Sequence, residues 1–306
     1  MPCDDPEWSN FTKFFAQNFS KFGVKKLIST SYAEDSKTTP GMYQLTLFEE
    51  DSPKFDKTKT KTHGKIFTLS RDKNKEKVNL DDLDWEYLEG NGDFRSEEVT
   101  KLRDEADIII TNPPFSLFGE FYQWLQKSKK EFLIISNINA LSNPDVFSGI
   151  QENIIWLGNN TVRYFIQPDG SLYETARTYW LTNLDHGKRH EELQLMTMED
   201  NIKYSRRNQV RGKPYEKYVN FEGIEVPYTE AIPSDYEGNM GVPITFIDKY
   251  NPAQFEIVGK SDWLAQPVLI DGKLRENPGR FYIRKDNKLI RKYERIVIRK
   301  KKTDEN

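Results

Sequence analysis

The sequence contains very little cysteine and histidine. Cys3 is the only cysteine among 306 residues, which excludes an internal disulfide and any metal site built from a cysteine cluster. His186 and His190 are four residues apart and could share one helix face, but no third ligand accompanies them and His63 is distant in the sequence. We therefore predict that the protein holds no metal ion.

Long apolar runs are also absent. No stretch approaches the roughly 18 apolar residues that a membrane helix needs, and the N-terminus lacks the charged-then-apolar pattern of a signal peptide. A hydrophobic fraction of 36% is still enough for the core of one large domain, or of a domain with an appendage. We therefore expect a globular cytoplasmic protein without a membrane partner.

The small net charge of −3 is unevenly distributed. Residues 280–302 contain eleven lysines and arginines against Asp286 and Glu294, a local charge of +9 on a chain that is acidic overall. Such an asymmetry is expected where one part of a protein approaches a polyanion. A charged edge strand that discourages aggregation would look similar.

The segment 108–115 predicts a strand that ends in a rigid turn. Three consecutive isoleucines at 108–110 indicate a strand buried on both faces, and Asn112, Pro113 and Pro114 indicate an abrupt turn. Because proline has a fixed φ and no N–H, the Asn112 side-chain oxygen and the Pro113 carbonyl remain available as acceptors, beside the ring of Phe115. This set suits a planar group that carries an amine, such as adenine, although it could also be an ordinary strand end.

The same tetrapeptide resembles the Asp/Asn-Pro-Pro-aromatic signature of S-adenosylmethionine-dependent amino methyltransferases. The wider sequence is similar to the EcoRI-type adenine-specific DNA methyltransferases, in order, from residue 3 to about residue 258. The segments that carry this resemblance are Cys3-Asp-Asp-Pro6, Gly92-Asp-Phe-Arg-Ser96, Thr111-Asn-Pro-Pro-Phe-Ser-Leu-Phe118, Trp180-Leu-Thr-Asn-Leu-Asp185 and Gly238-Asn-Met-Gly-Val-Pro-Ile-Thr-Phe246.

The resemblance implies both a methyl donor and the residues around it. S-adenosylmethionine would be bound by Asp4 and Asp5 after the first strand, and by Asp93 and Phe94 at its adenine. The catalytic residues would be Asn112, Pro113, Pro114 and Phe115. The aspartates could instead be turn or cap residues, which is the usual role of isolated aspartates in such settings.

The alternation of apolar strands and amphipathic helices up to about residue 185 predicts a doubly wound α/β sheet. With the resemblance, this becomes a Rossmann-like class I methyltransferase domain over residues 1–185, followed by a target-recognition region over 186–306. Residues 33–88 are predicted to be an insertion, with a hairpin formed by Met42–Phe48 and Lys65–Leu69. The first strand of the family and the Gly-rich loop that usually follows it are both missing from this sequence. We therefore expect a truncated start.

The region after residue 186 is predicted to contact DNA. Basic residues alternate there with tyrosines, a composition that suits phosphate contact with stacking, although a solvated loop would look similar. The candidate DNA-binding residues are Arg206, Arg207, Arg211, Lys213 and Tyr215. Near the end of the chain, Phe281–Lys285 and Leu289–Arg299 predict a hairpin about Asp286-Asn287.

The leading hypothesis is a site-specific adenine methyltransferase that acts on double-stranded DNA. The resemblance implies a monomer in a restriction-modification system, with a possible cognate endonuclease. Methylation of protein glutamine or of RNA stays open, because those enzymes share the Asn-Pro-Pro signature. A non-catalytic DNA-binding remnant also stays open, because the sequence lacks the segments that line the methionine end of the donor in the family.

Overall fold

The computed structural model describes residues 1–6, 9–33, 52–71, 83–166 and 170–302. They form two compact units. Unit 1 comprises Met1–Val146 and Asn160–Leu184, and unit 2 comprises Phe147–Asn159 and Asp185–Asn306. Helices and several separate sheets occur together, which confirms the mixed α/β class.

Unit 1 contains a three-stranded antiparallel sheet in the order β1-β2-β3. Its strands are β1 (Lys26–Ser31), β2 (Lys65–Ser70) and β3 (Asp84–Tyr87), and the helices of this part of the chain are α1 (Asn10–Gln17) and α2 (Lys57–Thr62). The predicted strand at Lys65–Leu69 is therefore confirmed, whereas Met42–Phe48 lies outside the described residues.

Residues 1–4 extend along β1 in the same direction as that strand. The Met1 amine donates to the Ile28 carbonyl at 2.6 Å, and the Asp4 N–H donates to the Thr30 carbonyl at 2.8 Å. Because these bonds advance along both segments together, they bring Cys3–Asp5 to the carboxyl end of β1.

A second sheet has the order β4-β5-β7-β6, and apart from the first residues of β6 it belongs to unit 1. Its strands are β4 (Ile108–Thr111), β5 (Glu131–Asn137), β6 (Trp156–Ile166) and β7 (Leu172–Thr182), and the accompanying helices are α3 (Glu97–Glu105), α4 (Phe118–Ser128) and α5 (Pro144–Gln151). β4 and β5 are parallel and α4 connects them, whereas β7 runs antiparallel to β5. The predicted strand-helix-strand alternation is thus present here, and a single doubly wound sheet stays a prediction.

The prediction that β4 is buried on both faces was wrong. Ile109 is buried, but 43% of Ile108 is exposed. β4 has only β5 as a hydrogen-bonded neighbour in the described sheet, so it is an edge strand, and side chains on one of its faces are incompletely covered.

Unit 2 is built on a four-stranded sheet in the order β10-β15-β9-β8. The strands of this sheet are β8 (Ile224–Glu225), β9 (Met240–Pro243), β10 (Phe255–Lys260) and β15 (Arg295–Lys300). The helices of unit 2 are α6 (Met198–Tyr204) and α7 (Ser261–Leu264). Two hairpins complete the unit, one of β11 (Val268–Ile270) and β12 (Lys273–Arg275) and the other of β13 (Tyr282–Lys285) and β14 (Lys288–Arg291). The hairpin predicted about Asp286-Asn287 is therefore confirmed only as far as Arg291.

The second arm of that predicted hairpin was too long. Residues 295–300 leave the hairpin and pair with β10 and β9, because Ile296, Val297 and Ile298 are apolar on both faces and need a central position. Arg295 at the start of this strand is buried and donates to the Glu225 carboxylate at 2.7 Å. Burial alone would raise the pKa of Glu225, but hydrogen bonds from Arg295 and its neighbours outweigh burial and lower it.

Among the described residues, no helix combines the length and the apolar character that a membrane span requires.

Candidate active site

The candidate site in unit 1 begins where β4 ends. Thr111, the last residue of the strand, is fully buried, and its hydroxyl donates to the Pro2 carbonyl at 2.5 Å. The end of β4 is therefore joined directly to the N-terminal segment that extends along β1.

The side-chain oxygen of Asn112 is buried and has no hydrogen-bond partner among the residues that the structure describes. Leaving such an acceptor unpaired costs about 1–3 kcal/mol, so buried orphaned acceptors are uncommon and are frequently found at functional sites. The oxygen of Asn112 therefore keeps an unused capacity to accept a hydrogen bond.

The residues after Asn112 are fixed by the two prolines. Pro113 is buried, and Pro114 has φ −66° and precedes a 3-10 turn at Phe115–Leu117 that leads into α4. Within the described part of the chain, nothing donates a hydrogen bond to the Pro113 carbonyl. The ring of Phe115 is 45% exposed, so this turn combines two available acceptors with an accessible aromatic face.

Asp4 is committed to α1. Its buried carboxylate accepts from the Ser9 hydroxyl and, at 3.1 Å, from the Thr12 N–H. Burial raises the pKa of Asp4, while the hydrogen bonds from Ser9 and Thr12 oppose that rise. The contacts agree with the cap role considered for this aspartate, and they leave the half-buried Asp5 as the more accessible carboxylate.

Two glycines hold the loop 90–94 against the end of β1. A Cβ on Gly92 would lie 2.0 Å from the Ser31 carbonyl oxygen, and one on Gly64 would lie 2.4 Å from the same atom. Gly92 also has φ +83°, a conformation that side chains other than hydrogen disfavour. The backbone at Gly64 and the backbone at Gly92 can therefore both pack directly against Ser31. This contact fixes the loop that carries Asp93 at the end of β1.

Asp93 is ionised and paired with Arg95. The guanidinium contacts both carboxylate oxygens, at 3.0 and 2.7 Å, and it lowers the pKa of Asp93. Arg95 also reaches Glu120 of α4 at 2.6 Å. The loop is thereby linked to the helix that follows the Asn112 turn, through residues that the sequence patterns did not indicate.

Tyr32 and Cys3 lie beside this loop. The Tyr32 hydroxyl accepts from the Phe94 N–H at 3.4 Å and also interacts with the Cys3 thiol. Burial, together with the charge of Asp93, raises the pKa of Cys3 to about 12, so the thiol is protonated at neutral pH. The structure therefore brings the N-terminal residues and the Asp93 loop together, as expected for one site.

Phe94 is a core residue. Its ring is fully buried and makes edge contacts with Phe121 and Trp124, at centroid distances of 5.1 and 5.6 Å. The Arg95 guanidinium lies over the same ring, 5.4 Å from its centroid, and the Phe94 backbone N–H donates to Tyr32. The sequence could not show whether Phe94 lies in the core or at the adenine of the methyl donor, because an aromatic residue after an aspartate fits either position.

The candidate DNA-binding residues lie in unit 2, on a loop that follows α6. Residues 205–213 are called the basic loop below; Ser205 and Val210 in it are buried, and its four cations are exposed. In the part of the chain that the structure describes, the side chains of Arg206 and Arg211 have no hydrogen-bond or ion-pair partner. Their guanidinium groups are therefore exposed and make no polar side-chain contact with the described residues.

The other three predicted residues are partly engaged within the protein. Arg207 stacks on Tyr228 at 4.7 Å and has an exposed contact with Glu230, and the Lys213 ammonium donates to a backbone carbonyl of the loop at 2.7 Å. The Tyr215 hydroxyl donates to the Ala231 carbonyl at 2.6 Å, and burial raises its pKa to about 12. Tyr215 thus supports the loop more than it presents a stacking face.

The histidines of unit 2 have protein partners. His186 bonds the Leu157 carbonyl at 2.8 Å and His190 bonds Asp185 at 2.8 Å. Within the described ranges, no group of three or more metal-ligating side chains occurs.

Comparison with known proteins gives a consistent result. The profile of the family described as "Adenine-specific methyltransferase EcoRI" matches residues 1–301. The Type II methyltransferase M.EcoRI of Escherichia coli is 38% identical over 274 residues, covering 84% of this chain and 76% of that protein. M.MgeORF184P of Mycoplasma genitalium is 32% identical over 320 residues, covering 97% and 86% of the two chains.

A third similar protein is also a Type II methyltransferase. The Type II methyltransferase M.MpnI of Mycoplasma pneumoniae is 29% identical over 324 residues, covering 98% of this chain and 86% of its own. No solved structure gives a significant match. Because the family profile covers almost the whole sequence and the Asn112 turn has the geometry described above, the chain belongs to the EcoRI family of adenine-specific methyltransferases.

Proposed function

We propose that this protein transfers a methyl group from S-adenosylmethionine to the exocyclic 6-amino group of adenine in double-stranded DNA, at a specific site. The observation that carries the proposal is the buried oxygen of Asn112, which has no partner among the described residues, together with the Pro113 carbonyl, which accepts no hydrogen bond from them, and the exposed ring of Phe115. Membership of the family supports the same reaction.

The two acceptors address the difficulty of this chemistry. The amine of adenine is a poor nucleophile because its lone pair is delocalised into the ring. Accepting its two hydrogens at Asn112 and Pro113 favours a more tetrahedral nitrogen and directs the lone pair at the methyl group. Catalysis is then mainly positioning, with stabilisation of the charge that develops, and no covalent enzyme intermediate is required.

Phe115 has a separate part in the proposal. A base inside a duplex cannot reach these acceptors, so the adenine has to leave the stack. Phe115 replaces part of the lost stacking with its exposed face, and Pro114 holds that ring in place through its fixed φ.

The residues near the carboxyl end of β1 fit a methyl donor that carries an amine and ribose hydroxyls. S-adenosylmethionine, when bound, supplies an electrophilic methyl group on a sulfonium. Asp5 and the ionised Asp93 offer carboxylate acceptors, and the Phe94 backbone borders the same loop. Asp4 instead holds the N-terminal segment against the start of α1 through its bonds to Ser9 and Thr12.

We further propose that unit 1 is a Rossmann-like class I methyltransferase domain and that unit 2 contains the target-recognition region. The parallel β4–β5 pair, with the Asn112 turn at its carboxyl end, supports the first assignment. The basic loop, with Arg206 and Arg211 unpaired among the described residues, supports the second. Arg207, Lys213 and Tyr215 would shape the same loop.

The test uses the purified chain, S-adenosylmethionine with a radioactive methyl group, and unmethylated plasmid DNA. We expect label in the DNA and N6-methyladenine at one short sequence when the product is sequenced. Parallel reactions contain cellular RNA and a protein extract, because the Asn-Pro-Pro turn also suits a glutamine amide or an RNA base. Label in either of these, with none in DNA, would reject the proposal.

Donor binding is measured separately by calorimetry. Binding of S-adenosylmethionine at micromolar concentration is expected, and a chain that binds DNA but no donor would be a non-catalytic DNA-binding protein. We propose that the enzyme is a cytoplasmic monomer of a restriction-modification system. Its methylated plasmid should then resist an endonuclease of the same specificity.

A further inference from the structure

Two hairpins of unit 2 begin at backbone positions that are held by the same side chain. The buried side chain of Asn220 donates to the Gln266 and Arg280 carbonyls, both at 3.1 Å, and accepts from the Tyr282 N–H at 2.9 Å. Gln266 precedes β11 and Tyr282 begins β13, so one amide fixes the roots of both hairpins. The β11–β12 and β13–β14 hairpins are together called the twin hairpins below.

The first of the twin hairpins exposes a pair of leucines. Leu269 and Leu274 are directly opposite each other in the register of the two strands, and they are 62% and 60% exposed. The strands are joined by the two-residue turn Asp271-Gly272, in which both residues have positive φ. On this short, tightly closed hairpin, a pair of large apolar side chains therefore faces outward beside the tip.

The twin hairpins also carry a concentration of positive charge. Six exposed cations on them have no ion-pair or hydrogen-bond partner among the residues that the structure describes. They are Lys273, Arg275, Arg284, Lys285, Lys288 and Arg291. Asp271 and Asp286, the acidic residues of the two hairpins, both lie in the turns.

We propose that the twin hairpins bind duplex DNA, with Leu269 and Leu274 as a wedge that enters between two base pairs while the cations contact the flanking phosphates. The inference deepens the proposed function and rests on it. Leucine is one of the residues that proteins insert at a base step to unstack and kink DNA. The core of a protein–protein interface is depleted in charged residues, whereas here Lys273 and Arg275 are the direct sequence neighbours of Leu274.

The experiment uses a fluorescent duplex of roughly 30 base pairs with a central abasic site and 2-aminopurine stacked beside it, a point where unstacking needs little energy. The fluorescence of 2-aminopurine rises when it loses its stacking partner. We expect the wild-type protein to raise this fluorescence, and the Leu269→Ser/Leu274→Ser double variant to lose most of the rise and to bind about tenfold more weakly.

The matched control is Leu172→Ser. Leu172 is a leucine of unit 1 that is 68% exposed, and its loss should change neither signal. A second variant, Lys288→Gln/Arg291→Gln, should reduce the slope of log affinity against log salt by about 1.8, because two phosphate contacts are lost, and should keep the fluorescence rise at saturation. All five substituted positions are exposed, and thermal unfolding checks that each variant is folded.

The fluorescence readout needs neither methyl transfer nor knowledge of the recognition sequence. Failure of the proposed function would appear as a fluorescence rise without methylation, whereas failure of the wedge would appear as methylation with an unchanged rise in the double leucine variant. A leucine variant that alters sedimentation of the free protein and leaves the fluorescence rise intact would show that the pair covers a second protein surface, and would overturn the inference.

Discussion

The Asn112 turn and the basic loop both contain polar groups that have no partner among the described residues, but in opposite environments. The oxygen of Asn112 is buried, whereas the side chains of Arg206 and Arg211 are exposed. A buried acceptor without a donor destabilises the fold by about 1–3 kcal/mol, while an exposed cation has almost no such cost. The proposed role of the Asn112 turn therefore depends on the position of each atom, whereas the proposed role of the basic loop depends mainly on its total charge.

The largest difference should follow Asn112→Ala. We expect turnover to fall by at least about 100-fold with little change in DNA affinity, because the lost acceptor acts mainly on the transition state. Single-turnover methylation and fluorescence anisotropy measure the two effects. Asn112→Asp keeps an acceptor and serves as the matched control. Near-normal turnover in the alanine variant would remove Asn112 from the mechanism.

Phe115→Ala should have the next largest effect. Loss of one stacking face is worth about 1–3 kcal/mol, so the ratio kcat/KM should fall by roughly 10-fold to 100-fold. Phe115→Tyr keeps the ring and should behave like the wild type. If a mismatch opposite the target adenine fails to restore any activity to the alanine variant, the ring is not compensating for lost stacking.

Arg206→Gln/Arg211→Gln tests the other side of the comparison. We expect affinity to fall by about tenfold at low salt and the difference to shrink as salt is added, because each lost phosphate contact reduces the salt slope by about 0.9. Turnover at saturating DNA should not change. Glu230→Gln, which alters an exposed acidic group next to Arg207, is the control. A salt-independent loss would contradict a purely electrostatic role.

The smallest effect is expected for Ser96→Ala. The Ser96 hydroxyl accepts from the Val99 N–H at 3.2 Å at the start of α3, close to the Asp93 loop in sequence. Removing such a cap lowers the free energy of unfolding by about 1 kcal/mol. Thermal denaturation should show this loss while methylation stays unchanged; Ser96→Asp should restore the cap. Reduced activity at full stability would give Ser96 a role in the site.

The sequence predicted local elements well where one segment determines its own structure. The Ser96 cap and the two glutamates after it predicted α3, and the apolar strand before the double proline predicted β4 and its turn. Three isoleucines in a row, however, do not tell whether a strand lies at the centre or the edge of a sheet. That distinction depends on neighbours that are distant in the sequence.

The candidate site also depends on neighbours that are distant in the sequence. Both Asp4 and Asp93 are aspartates in turns, yet one is buried against the start of α1 and the other is held by Arg95. The partners Thr12 and Arg95 became apparent only in three dimensions. The family resemblance gave the residues of the Asn112 turn, whereas the orphaned state of the Asn112 oxygen required the packing around it.

The contact of Gly64 and Gly92 with the Ser31 carbonyl has an evolutionary consequence. Even alanine at either position would place a methyl group inside a neighbouring backbone, and no rotamer can relieve that overlap. The codons for Gly64 and Gly92 can therefore change only silently if these backbone segments are to keep meeting.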